Sequence, residues 1–217
     1  MPSSHNVAAL ETTFTDDNLV PNAGLAVPAA LAQKLGLAEL VDARVKLPKD
    51  AAGRANCGTK ALTVVGAMLA QGDSIDDCDV LRSDSGAAVE LFDATRAPST
   101  IGTWLRGFNW AAVRMLDAVS RESLARAWAA GLGPDPDADL TIDVDSTIYQ
   151  TYGTKKQGAK FGYTKVRGYH PLVATLADTG EVAHARMRGG NAGSARGRTA
   201  WCARPSGGCV TPAPPAT

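Results

Sequence analysis

No CxxC pair is present among the four cysteines, Cys57, Cys78, Cys202 and Cys209. Cys202 and Cys209 have no histidine beside them, which makes a poor zinc pattern. Four scattered thiols also make a poor disulfide framework in a chain that reads as intracellular. Long apolar runs are missing too. The best candidate, ALTVVGAMLA, is half of the roughly 20 residues that a membrane helix needs. The opening MPSSHNVAALETTF lacks the basic start and apolar centre of a secretory signal, so a cytoplasmic location is expected. No internal repeat is visible. No acid follows Glu181, although Arg186, Arg188, Arg196, Arg198 and Arg204 do.

What remains is a globular composition. The 217 residues are 45% hydrophobic and 20% charged, enough for one or two domains with a core. The net charge of zero hides an asymmetry. Residues 73–93 carry Asp73, Asp76, Asp77, Asp79, Asp84, Glu90 and Asp93 against Arg82 alone. Residues 154–168 carry Lys155, Lys156, Lys160, Lys165 and Arg167 and no acid. A neutral average therefore coexists with a basic C-terminal surface.

Apolar periodicity places helices in the first part of the chain. Leu31, Leu35, Leu40 and Val41 predict two short helices broken near Gly36. Leu62, Val65, Met68 and Leu69 predict one apolar side of a helix from Lys60 to Gln71. Asp73 or Ser74 is placed to cap a short helix, and Pro98-Ser99-Thr100 opens another, with Ser99 as its candidate cap, that runs through about Phe108. Asn109 is placed to cap a longer helix from Trp110 to about Ala130, followed by the linker GLGPDPDAD. The pattern then changes. LTIDVD alternates with period two, and PLVATLADTGEVAHARMR predicts a hairpin with strands 171–177 and 181–188. The organisation expected is an irregular arm over 1–23, a helical region over 24–131, a strand-bearing region over 138–190 and a disordered tail over 191–217. Together these give an α+β fold.

Asp143 and Asp145 project from one face of their strand, about 6.5–7 Å apart. Like charges so placed are unfavourable without a cation or hydrogen-bond donors. Three readings fit. The two acids are solvent-facing groups at a strand end. Or LTIDVDST is a DxDxT phosphatase-like signature, with Asp143 as nucleophile and Asp145 as general acid/base, which needs further acids downstream. Or one acid is the first ligand of a two-metal site for phosphodiester chemistry on DNA. The run YGTKKQGAKFGYTKVRGYHPL suits the third: cations meet phosphates and aromatic rings stack on bases. Taken alone, the same run also fits a solvated loop. His170 within it fits either a DNA contact or a residue filling a turn.

The strings DSIDDCDVLR, APSTIGTWLRGF, DVDSTIYQTYGTKKQGAKFGYTKVRGYHPL and RMRGGNAGSARG resemble bacterial insertion-sequence transposases of the DDE type, in the transposase DDE domain group 1 family. The resemblance implies a helical DNA-binding region, then a ribonuclease H-like domain that cuts transposon ends and joins them to target DNA with Mg2+. It selects Asp145 as the first catalytic acid and metal ligand, with Asp143 the second choice. It implies DNA contacts by Lys155, Lys156, Lys160, Lys165 and Arg167 of the basic run, and by Arg106 in a segment similar to a helix-turn-helix. Trp104 and Phe108 fit a core role equally well. The partners implied are terminal repeats and target DNA, with homo-oligomers in the full-length family and a nucleoid-associated location.

The family's second Asp and its Glu have no counterpart after Asp145, where only Asp178 and Glu181 occur. The tail TAWCARPSGGCVTPAPPAT has the composition that GC-rich codons give in a wrong frame. A frameshifted, prematurely ended and catalytically incomplete transposase is the expectation. The alternatives are a non-catalytic DNA-end-binding protein and, further off, a DxDxT phosphatase-like hydrolase.

Overall fold

The computed structural model describes residues 22–83, 95–135 and 137–193. Most of the expected arm and most of the expected tail lie outside the described residues, as do Asp84, Glu90 and Asp93. Two compact units divide between Ala112 and Val113. The fold is α+β, with helices in both units and two small antiparallel sheets in the second.

In the first unit a 3-10 turn, Ala23–Leu25, leads into α1 (Ala26–Lys34). α2 (Leu37–Arg44) follows the predicted break, where Gly36 takes φ 61°, a left-handed conformation that costs glycine little. α3 (Cys57–Leu69), α4 (Cys78–Ser83) and α5 (Pro98–Arg106) come next. The core joins Leu25, Ala29, Ala32, Leu62, Ala67, Cys78, Leu81 and Ile101. Gly58 lets α3 approach α2, because a Cβ there would run into the backbone of Ala38.

The buried side of α3 differs from the predicted one. Leu62 is buried, but Val65, Met68 and Leu69 are exposed. Thr59, Lys60, Thr63, Gly66 and Ala67 are buried instead. The polar members tolerate this because they are bonded. Thr63 Oγ1 donates to the carbonyl of Thr59 at 2.8 Å and accepts from the Arg96 N–H at 3.1 Å. Lys60 Nζ donates to the carbonyls of Gly53 and Ala55 at 2.5 and 2.6 Å.

Two caps also differ. Ala97, not Ser99, is the N-cap of α5, while Pro98 opens the helix as expected, with a fixed φ and no N–H to satisfy. The turn before α4 is closed by Asp77, whose carboxylate accepts from the N–H groups of Asp73 and Ser74 and from the Ser74 hydroxyl. Ser74 holds that carboxyl below its ordinary range.

α6 (Trp110–Ala127) opens as predicted, with Asn109 Oδ1 accepting the Ala112 N–H at 3.0 Å. A wide turn, Trp128–Leu132, ends it, with Gly131 at φ 84°. The first sheet has the order β1-β5-β6, all antiparallel, from β1 (Ile142–Ser146), β5 (Leu172–Leu176) and β6 (Val182–Arg186). The predicted hairpin is therefore β5 and β6. Leu172, Ala174 and Leu176 are buried, and Ile142 and Val144 lie opposite them on the same face but remain exposed. Near that face Asp117, Arg121 and Arg114 of α6 lie around His184 of β6.

The stretch between β1 and β5 folds as a second sheet. Its order is β2-β4-β3, from β2 (Tyr149–Gln150), β3 (Lys160–Phe161) and β4 (Arg167–Tyr169). A solvated loop had been an equal expectation for these residues. The strands have two or three residues each, too few to display a period.

Candidate catalytic strand and nucleic-acid interface

Register fixes where the acids point. Asp143 lies opposite Thr175 and Asp145 opposite Val173, so both carboxylates share one face of the sheet, and both are exposed. Asp145 Oδ1 accepts the Ser146 N–H at 2.7 Å. β1 is an edge strand among the described residues, pairing with β5 alone.

Behind Asp145 sits a group that sequence reasoning left undecided. His170 is 2% exposed, so it belongs to the interior and not to a DNA-facing surface. Its Nδ1 lies 2.6 Å from the carbonyl of Ala192, and its Nε2 lies 3.1 Å from Ser146 Oγ. A carbonyl only accepts, so Nδ1 carries a proton, and in the neutral ring Nε2 accepts from the Ser146 hydroxyl. The main chain of His170 is held as well. Its N–H donates to the carbonyl of Arg188 at 3.1 Å, and its own carbonyl accepts from Arg188 Nε at 2.9 Å. Arg188 Nη1 donates onward to the carbonyl of Gly193 at 3.1 Å. The end of β1 is thus tied through one imidazole to residues 188–193.

The described acids do not assemble a metal centre. Among the described residues, no group of three or more His, Cys, Asp or Glu side chains is placed to hold an ion. Asp178 and Glu181 flank the hairpin tip, beside the Ile142 end of β1 and away from Asp145. Glu181 is engaged there by the Trp128 indole N–H at 3.3 Å and by the Thr179 hydroxyl at 3.2 Å. The phosphatase-like reading needs further acids at the carboxyl end of β1, and these two lie beside its amino end. Two carboxylates on one strand are also too small a donor set for a two-metal site.

The second sheet carries the cations. Lys155, Lys156, Lys160 and Lys165 are all exposed. Arg167 is half-buried and turned inward: Nη1 donates to the carbonyl of Gly153, and Nη2 to that of Thr154 at 3.0 Å. Register puts Tyr149, Tyr169, Arg167 and Phe161 on one face, with Gln150, Gly168 and Lys160 on the other. The Tyr169 hydroxyl donates to the carbonyl of Gln157 at 2.8 Å, but Tyr149, Tyr152, Phe161 and Tyr163 are exposed. An open groove of about 380 Å³ is lined by Tyr152, Phe161, Lys165 and Arg167 among others. No Asp or Glu occurs between Asp145 and Asp178.

In the first unit, Arg106 is exposed on α5, its Nη2 3.3 Å from Thr103 Oγ1. Trp104 is core, 3% exposed, with its ring edge-on to Phe108 at 5.0 Å and its indole N–H 3.3 Å from Cys57 Sγ.

A family model, Transposase DDE domain group 1, matches residues 3–204. The chain belongs to this family of transposases. No curated protein and no solved structure matches it. For a DDE transposase the match covers the acidic strand, the second sheet and the helical unit together, so all three enter one functional reading. No single helix among the described residues is long and apolar enough to cross a membrane, although α1 and α2 pass that test as a bent pair.

Proposed function

We propose that this DDE transposase chain binds transposon-end DNA through its second sheet and carries the first acid of the family's catalytic site on β1. The observation behind this is the joining of two features in one fold. Exposed Asp143 and Asp145 stand on a strand that is an edge among the described residues, and the stretch that follows directly is an acid-free sheet whose strands and turns bear four exposed lysines. Under this reading β1, β5 and β6 open a ribonuclease H-like sheet. Asp145 is the metal-binding acid, with Asp143 as second choice. Lys155, Lys156, Lys160 and Lys165 meet phosphates, Arg167 shapes the loop beside them, and Arg106 offers a further contact from α5.

Mg2+ in the family would supply Lewis-acid assistance to strand cleavage and transfer. The described donors do not complete a site for it, so strand cleavage is not assigned to them. That observation favours a second reading of the same surface: a protein that occupies transposon ends without cutting them. Gel-shift titration against duplexes ending in the element's terminal repeats tests the shared core of both. Salt-sensitive retention of the repeat duplex is expected. Absence of any shift at low salt would remove both readings.

A further inference from the structure

The groove of the second sheet calls for a different ligand from the lysines around it. Phe161 is 66% exposed and Tyr152 78% exposed, and both line the groove. Paired bases keep their faces stacked inside the duplex, so a duplex offers exposed rings mainly phosphates and groove edges. An unpaired base offers a π-face, and stacking on aromatic side chains is how proteins hold it. The groove volume of about 380 Å³ suits a small-molecule-sized occupant.

Charge and rigidity agree with this. Lys165 lines the same groove as the two rings, and Lys155, Lys156 and Lys160 belong to the same acid-free stretch. Arg167 donates to the carbonyls of Gly153 and Thr154, which fixes the loop bearing Tyr152 before any ligand arrives. Lys165 itself stands at φ 59° in a turn closed by its own N–H to the carbonyl of Gly162 at 3.1 Å. A preformed wall lowers the ordering cost of binding.

We infer that this groove takes one unpaired nucleotide of DNA, its base against the rings of Phe161 and Tyr152 and its phosphate at Lys165. The inference rests on the DNA-binding reading above and narrows it to a distorted or opened DNA end. The test uses the full chain and two duplexes of equal length, one fully paired and one with a single unpaired 2-aminopurine. Binding on the order of tenfold tighter to the unpaired site is expected, with quenching of the aminopurine. Phe161→Leu and Tyr152→Leu should lose the preference while keeping affinity for the paired duplex, and Phe161→Tyr should retain it. Equal, salt-sensitive binding of both duplexes without quenching overturns the inference and leaves the DNA reading standing. A preference that survives both leucine variants overturns the groove assignment. Binding to neither duplex overturns the inference and the reading beneath it.

Discussion

His170 shows how one buried side chain fixes the end of the acidic strand. It is bonded on both ring nitrogens, to Ala192 and to Ser146, the residue after Asp145. Replacing it with alanine strands a carbonyl and a hydroxyl beside a cavity. His170→Ala should therefore cost about 1–3 kcal/mol in urea unfolding. His170→Asn, whose amide can still donate toward Ala192, should recover part of that. An unchanged midpoint for His170→Ala would show that the pair is not formed. This role was not legible in the sequence. Ala192 lies in the segment expected to be a disordered tail, and nothing local to His170 announces a partner so distant in the chain.

His184 gives a second residue-level outcome. Burial holds its imidazole below the ordinary 6.5. Asp117 opposes that effect, while Arg121, Arg114 and Arg186 reinforce it. The unfolded chain takes up a proton that the folded chain resists. Stability from this group is complete above 6.5 and is lost as pH falls toward the folded value. Unfolding measured between about pH 7.5 and about pH 5 should show a smaller acid loss in His184→Gln than in the parent. Equal losses would mean that the imidazole is not held neutral.

At the scale of elements, the helices were legible where caps and breaks carry them. Gly36 broke α1 from α2, and Asn109 capped α6. The face of α3 was not legible, because hydropathy ranks Val65 and Met68 above Thr63 and Lys60. Small residues and satisfied hydrogen bonds decided otherwise. Lys60→Met tests this directly. It keeps the buried stem but leaves the carbonyls of Gly53 and Ala55 without their donor, and should cost about 1–3 kcal/mol in thermal or urea unfolding. A neutral or stabilised variant would show that the ammonium does not anchor the loop. The hairpin β5–β6 was readable from alternation around Asp178-Thr179-Gly180. The second sheet was not, since its pairs join short strands spread from Tyr149 to Tyr169.

For the whole molecule, the charge ledger hid the decisive contrast. Twenty-two cations and twenty-two anions cancel, yet the stretch from Ser146 to Ala177 contains no acid. That contrast and the family were both legible in the sequence. The assembly of acids into a working centre was not, because a strand's period places Asp143 and Asp145 on a face but says nothing of which other acids reach it. Among the described residues, none does so as a group of three.

The central claim is that the lysines of the second sheet hold DNA phosphates. The dependence of the DNA association constant on salt tests it most directly, measured for the parent chain and for a variant with Lys155, Lys156, Lys160 and Lys165 all changed to alanine. The parent should lose affinity log-linearly with salt, and the variant's slope should be shallower by about 0.9 for each phosphate contact removed. Identical slopes in the two proteins, or binding indifferent to salt, would contradict the account.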